Sequence, residues 1–372
     1  MKPIRFNSRS DGTRIARIDA SIYRVPTDYP ESDGTLEWDS TTLVLVRATA
    51  GGNTGLGYTY ADAATAKVID GLLSKTVTGR DAMDIPGCWQ AMVKCIRNLG
   101  RPGIVAMAIS AVDTALWDLK ARLLGIPLIK LLGAVRESVP IYGSGGFTSY
   151  SVKQLQAQLA GWVKQGIPRV KMKIGRDAAA DVVRVRAARK AIGPDAELFV
   201  DANGAYSRKQ ALNQAKAFAD ANVSWFEEPV SSDDLAGLHL IRDRAPAEME
   251  IAAGEYGYDT GYFRRMLEAE AVDVLQADAT RCGGITGFLQ VASLCEAFHL
   301  ALSAHTAPAL HTHVCCAASP LRHLEYFHDH LRIERMLFDG VPEAINGELR
   351  PDLSKPGLGM ELKDADARRF AA

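Results

Sequence analysis

The stretch RVKMKIGRDAAADVVRVRAARKAIGPDAELFVDANG, residues 169–204, sets the rhythm of most of the chain. It predicts a strand at 169–174, a helix, and a second strand at 197–201. Alternation within the first strand puts Lys171 and Lys173 on one face and Val170, Met172 and Ile174 on the other. The second strand ends on Asp201. Outward from here the pattern repeats: apolar runs end at Glu227 (WFEEP), Glu255 (AAGE), Asp278 (LQAD) and His305 (LSAH), and Glu325 follows in HLE. Counted from Lys173 through Asp201, the gaps are 28, 26, 28, 23, 27 and 20 residues, about one strand plus its returning helix. Strands are expected near 138–143, 169–174, 197–201, 223–227, 250–255, 273–277, 300–304 and 322–326. Eight such units predict a parallel α/β barrel, which gathers one reactive side chain per unit at a common rim.

A barrel of about 200–250 residues leaves more than 100 of the 372 for a second domain. Residues 14–25, 42–48 and the GGNTGLGY turn at 51–58 read as a small antiparallel sheet. Helical patterns follow at 62–98 and 103–124, the second placing Ile104, Met107, Ala111, Ala115 and Leu119 on one face. The expected organisation is an α+β capping domain at 1–135, a barrel at 136–344, and a segment at 345–372, rich in glycine and proline, that packs back on the cap.

The net charge is -1, with 23% charged residues spread along the chain, so no basic face for nucleic acid or anionic lipid is expected. The N-terminal MKPIRFNSRSDG has no apolar core of a signal peptide, and no apolar run reaches membrane-spanning length. The six cysteines include no CxxC pair and read as reduced thiols of a cytoplasmic protein. The expected partner is a small molecule.

Asp201, Glu227 and Glu255 end three successive strands. Converging, they would repel unless a cation lay between them, and an all-oxygen set favours Mg²⁺, with Mn²⁺ as a substitute. Glu228 leaves an ambiguity, because adjacent strand residues face opposite ways and periodicity does not choose between it and Glu227. Lys171 and Lys173, side by side near a divalent ion, are expected to depress each other's pKa and so supply a base. Across the rim, Asp278 can hold one ring nitrogen of His305, setting its tautomer and raising its basicity. Glu325 can hydrogen-bond a ligand. A lysine, a histidine and a divalent ion around one pocket suit removal of the α-proton of a carboxylate through an enediolate.

At these residues the chain resembles the enolase superfamily, mandelate racemase subgroup; a Lys or His base working beside Mg²⁺ is the established pattern of that superfamily. The resemblance rests on AISAVDTALWDLKARLLG, VKMKIG, VDANGAY, WFEEPV, AAGEYG, DATRCGGITG and the late PGLG, in that order. It implies a (β/α)7β modified TIM barrel with an N-terminal α+β cap completed by the C-terminal segment. It further implies one Mg²⁺ per subunit on Asp201, Glu227 and Glu255, and Lys173 as base with Lys171 beside it. The dyad of His305 and Asp278, Glu325 on the substrate carboxylate, Asn203 in the pocket and a homo-oligomer complete what it implies.

Cap loops over such a rim choose the substrate. Residues 24–39 and 57–63 are the expected loops; they offer Tyr29, Trp38, Tyr58 and Tyr60 beside several acids, a mixture suited to a polyhydroxylated ligand. The expected activity is dehydration of a sugar acid, aldonate or aldarate, to a 2-keto-3-deoxy acid. Racemisation or epimerisation, or cycloisomerisation of a lactone or anhydro-sugar acid, would use the same site. Two remoter readings are a zinc amidohydrolase built on the HTH of His311 and His313, and a silent carboxylate-binding barrel. The first would need that pair on the first barrel strand, whereas here it falls in a helix after the seventh.

Overall fold

A computed structural model describes residues 12–372; most of the polar N-terminal stretch noted above lies outside them. Strands β1 (Arg17–Ser32), β2 (Glu37–Ala50) and β3 (Asn53–Tyr60) form an antiparallel sheet in chain order. The 24–39 region is therefore not a loop but the end of a long hairpin, with a register shift between Pro26 and Glu31 and a tight turn at 33–36. Likewise 57–63 begins as the end of β3. Pairing of β1 with β2 stops after Pro26 and resumes with Glu31 opposite Trp38 and Ser32 opposite Glu37, next to the turn.

The helix Ile104–Leu123 lies against β3. Gly55 and Gly57 make the approach possible: a Cβ at Gly57 would sit 2.2 Å from the Ala111 carbonyl oxygen, and one at Gly55 2.3 Å from that of Ala115. The expected apolar face is only part of what is buried. Ile104 is exposed, whereas Val105, Ile109, Val112 and Leu116 are buried, because the helix is clasped between the cap sheet and the barrel helix Gly284–Ala297. Asp113 joins the two, accepting from Thr286 N at 2.9 Å and Thr286 Oγ1 at 2.7 Å. The 62–98 pattern breaks at 78–84, between the helical run 64–77 and the helix Ile85–Cys95.

Strands β4 (Val139–Gly145), β5 (Arg169–Lys173), β6 (Glu197–Asp201), β7 (Val223–Glu227), β8 (Glu250–Ala253), β9 (Val274–Ala277), β10 (Ala301–Ala304) and β11 (Leu321–Phe327) pair in parallel, and β11 closes on β4. Among the described residues this is an eight-stranded parallel barrel, with a helix in each of the seven intervals. Val170, Met172 and Ile174 face outward and are buried under the helices. Tyr142, Phe199 and Trp225 fill the interior, Phe199 and Trp225 stacked at 5.3 Å. This aromatic plug lies one pleat below the rim, since Phe199 precedes Asp201 and Trp225 precedes Glu227 by two residues.

The C-terminal segment touches both units. Residues Glu348–Leu349 pair antiparallel with β4. Farther on, Leu358 N donates to Asp118 Oδ1 at 2.6 Å, Arg47 pairs with Asp364 at 2.8 Å, and Ala371 bridges to Tyr23.

Candidate active site

The ends of β5 to β8, β10 and β11 bring the charged groups together. Lys173 Nζ lies 2.5 Å from Asp201 Oδ2. Lys171 Nζ contacts Glu227, lies 2.8 Å from Glu325 Oε1 and 3.3 Å from Asp201 Oδ2, and sits 5.4 Å above the Tyr142 ring. All these side chains are buried. Immediately beyond the strands, Asn203, Glu228 and Thr306 adopt positive φ, of 45°, 39° and 50°; left-handed backbone at non-glycine positions concentrates where a site is being shaped.

Carboxylates arriving from other strands oppose the depression that the two lysines exert on each other. Burial pulls both ammonium groups down, but the carboxylates outweigh it, Glu227 and Glu325 for Lys171 and Asp201 for Lys173, so both stand above the usual lysine range. In sequence the two lysines meet only each other; the acids that face them arrive from other strands. Asp201 is held low, its burial being outweighed by Lys173 and Lys171. At Glu227, burial and Asp201 favour the neutral carboxyl while Lys171 favours the ionised one, and the first pair wins.

Asp201, Glu227 and Glu255 each offer an oxygen within 4.8 Å of the other two. Glu255 Oε2 is buried and has no hydrogen-bond partner. An orphaned carboxylate oxygen and an all-oxygen donor set fit Mg²⁺. Glu228 is buried too, but its positive φ turns it out of the strand alternation and it is not one of this trio.

His305 Nδ1 lies 2.9 Å from Asp278 Oδ2. Its Nε2 points the other way, 3.4 Å from Glu255 Oε2 and 3.7 Å from Glu325 Oε2. Burial works to raise the Asp278 carboxyl, but its hydrogen bond to His305 outweighs this and holds it well below the usual carboxylate range. Glu325 accepts from Ser144 Oγ at 2.5 Å and Thr306 N at 3.2 Å; burial raises its carboxyl, and Lys171 more than reverses this.

A cavity of about 640 Å³ opens over this rim. Lys173, Asn203, Glu255, His305 and Glu325 line it from below, Trp38 and Tyr60 from the cap. Tyr29 does not line it: the β1 register shift leaves it outside, 55% exposed, edge-on to Tyr150. Tyr58 is buried beneath the cap, donating to Glu334. The sequence reading missed Arg281, Tyr256, Thr306 and His330, which also line the cavity. Adjacency was the available signal, since Tyr256 follows Glu255 and Thr306 follows His305. His330 needed the fold, being stacked on Tyr60 at 3.4 Å.

His311 and His313 do not form a metal pair. Two residues apart on the helix Pro308–Ala317, His311 Nε2 accepts from Ala279 N at 2.8 Å and His313 Nδ1 from Ile129 N at 3.3 Å. Both rings are held as neutral acceptors, burial lowering their pKa, to about 4 for His313.

A parallel barrel with three convergent carboxylates at its rim, and a lysine and a histidine on two walls of the cavity, defines the class of a metal-dependent barrel enzyme. The chain matches the family described as "Enolase C-terminal domain-like" over residues 154–367 and "Mandelate racemase / muconate lactonizing enzyme, N-terminal domain" over 18–133. It belongs to the mandelate racemase branch of the enolase superfamily. It is 34% identical over 363 residues to 3,6-anhydro-alpha-L-galactonate cycloisomerase of Streptomyces coelicolor, covering 94% of this chain and 97% of the relative. A mandelate racemase/muconate lactonizing enzyme-like protein from Rubrobacter xylanophilus superposes with TM-score 0.95 at 56% identity, covering 96% of this chain and 100% of that one. L-talarate/galactarate dehydratase from Salmonella typhimurium, solved with Mg and L-lyxarohydroxamate, superposes with TM-score 0.89 at 28% identity, covering 100% and 96%.

Proposed function

We propose that this protein is a Mg²⁺-dependent dehydratase of a sugar acid. The observation that carries the reading is the placement of Lys173 and His305 in one cavity, on β5 and at the end of β10, with the carboxylates of β6 to β8 on the arc between them. Asp201, Glu227 and Glu255 would hold the ion. When bound, it neutralises the negative charge that gathers on the substrate carboxylate as the α-proton leaves. Lys171 and Glu325 orient that carboxylate, one as a cation and one as a hydrogen-bond partner. Lys173 Nζ, which would be freed to act as a neutral amine once the ion balances Asp201, or His305 Nε2 takes the α-proton, according to the configuration at C2. The β C–O bond then breaks, and His305 as imidazolium protonates the departing hydroxyl to water, leaving an enol that becomes the 2-keto-3-deoxy acid. Asp278 keeps the imidazole oriented and supports its charged form.

Among lining residues the cations are Lys173 and Arg281. Arg281 is engaged by Glu255 Oε1 and Asp278 Oδ2, each 3.6 Å away. The cap side contributes Asp33 and Asp62. A second substrate carboxylate there would meet negative charge, so a monocarboxylic aldonate fits better than an aldarate. The 34% identity to a cycloisomerase supports a second reading at the same site, in which the ring oxygen of an anhydro-sugar acid is the leaving group.

Incubation with aldonates, aldarates and anhydro-sugar acids in D₂O tests both. Dehydration yields a 2-keto acid with loss of water. Cycloisomerisation yields a product of unchanged composition, and exchange with inversion at C2 marks 1,1-proton transfer. Failure of every sugar acid to react or exchange, with Mg²⁺ bound, overturns the assignment. We further read the chain as a cytoplasmic homo-oligomer with domains at 1–135, 136–344 and 345–372. The six free cysteines support a reducing compartment, and light scattering in solution tests the assembly.

A further inference from the structure

The cap hairpin meets the end of β11 at a charged cluster that the proposed reaction does not use. Asp28 and Glu31 lie on β1, at its register shift, and His328 and Asp329 follow β11 directly. His328 Nε2 lies 2.9 Å from Asp28 Oδ2. Glu31 is fully buried. Its Oε2 accepts from Trp38 Nε1 at 2.8 Å, but its Oε1 has no partner. One donor atom from each of Asp28, Glu31 and His328 lies within 4.8 Å of the other two.

Three carboxyl groups, of Asp28, Glu31 and Asp329, meet one imidazole and one guanidinium here. Arg332 Nη2 pairs with the buried Asp329 at 2.6 Å and also donates to Pro26 O at 2.6 Å. Glu31 Oε1 is left without a partner, and an unsatisfied buried polar atom costs about 1–3 kcal/mol.

We propose that Asp28, Glu31 and His328 form a second divalent-cation site, for a first-row transition ion such as Zn²⁺ or Mn²⁺, which pins the cap hairpin to the barrel. One imidazole with two carboxylates suits these ions, whereas the all-oxygen trio at the rim suits Mg²⁺. Asp28 and His328 are partly exposed and give an ion access to the buried Glu31. Glu31 in turn holds Trp38, a wall of the substrate cavity. The site therefore acts on substrate only through position, and its existence does not depend on the reaction assigned above.

The test is zinc binding to the full chain, stripped with chelator and carrying Asp201→Asn and Glu255→Gln so that the rim trio is removed. Calorimetry should find one Zn²⁺ per chain, accompanied by a rise in melting temperature. Adding Glu31→Gln or His328→Asn should weaken binding by about tenfold or more and abolish the thermal rise. Mn²⁺ should quench Trp38 fluorescence, a signal absent in Trp38→Phe. If Glu31→Gln impairs folding, Asp28→Asn, at a partly exposed position, gives the same reading. Absence of Zn²⁺ binding in the rim-deficient chain, or binding unchanged by the cap substitutions, overturns the proposal. Because no turnover is measured, that failure is distinct from failure of the sugar-acid assignment.

Discussion

Replacing Asp278 by asparagine keeps the shape of a buried side chain and removes its charge. In the native chain Oδ1 accepts from Thr280 N at 2.7 Å and Oδ2 faces His305 Nδ1 at 2.9 Å. Asparagine has one acceptor for these two tasks. The Thr280 N–H is buried and fixed by the backbone, so the amide oxygen stays with it and the NH₂ turns to His305. A donor facing Nδ1 makes Nδ1 the acceptor and moves the ring proton to Nε2. The cavity-facing nitrogen thereby loses the lone pair a base needs. Loss of the charge-assisted hydrogen bond alone is about 1.5–3 kcal/mol, or roughly 10–150-fold. With the wrong tautomer added, proton removal on the His305 face should fall by about 10²–10⁴-fold. Lys173 touches neither group and should keep its function. The assay is α-proton exchange in D₂O, followed by NMR, for the two C2 epimers of a reactive aldonate. Asp278→Asn should silence one epimer and leave the other within about tenfold of native rate, while Lys173→Ala should give the reverse pattern. Equal loss for both epimers, or native rates for both, would refute the dyad.

Glu334 is buried, and burial raises its carboxyl to about 8 against the Tyr58 hydrogen bond. The native state thus holds a proton that the unfolded chain has released, so stability falls as pH rises from the normal Glu pKa to about 8, then levels. Denaturant titrations should show a slope of up to about 1.4 kcal/mol per pH unit in that window, absent in Glu334→Gln. Gly57→Ala drives a Cβ into the backbone of the helix Ile104–Leu123 and should cost about 1–3 kcal/mol or more, whereas Gly71→Ala, with nothing within 4 Å, should not. Asp118 is buried and accepts from Leu56 N at 2.7 Å, Leu358 N at 2.6 Å and Arg122 Nε at 2.8 Å. Asp118→Ala should destabilise by about 3–5 kcal/mol and speed proteolytic release of the C-terminal segment. Chelation of Mg²⁺ should abolish turnover and Mg²⁺ should restore it, with circular dichroism unchanged.

The sequence alone determined the barrel and the side chains its rim carries. The βα period is long enough to count, and alternation of period two turns Lys171 and Lys173 inward while burying Val170, Met172 and Ile174. Strand ends at Asp201 and Glu227 were legible to the residue, because the apolar run stops where the barrel interior ends. Tertiary structure decided what depends on distant parts of the chain. Glu228 was ambiguous until its left-handed backbone took it out of the strand alternation. The acids that face Lys171 were not legible in its own strand, because they come from β6, β7 and β11 and sum at Nζ, and an electrostatic field has no footprint in a single segment. Trp38 and Tyr60 line the cavity while Tyr29 does not, since one register shift in β1 re-aims the hairpin. Local patterning records which face a residue takes, and only three-dimensional convergence records what that face meets.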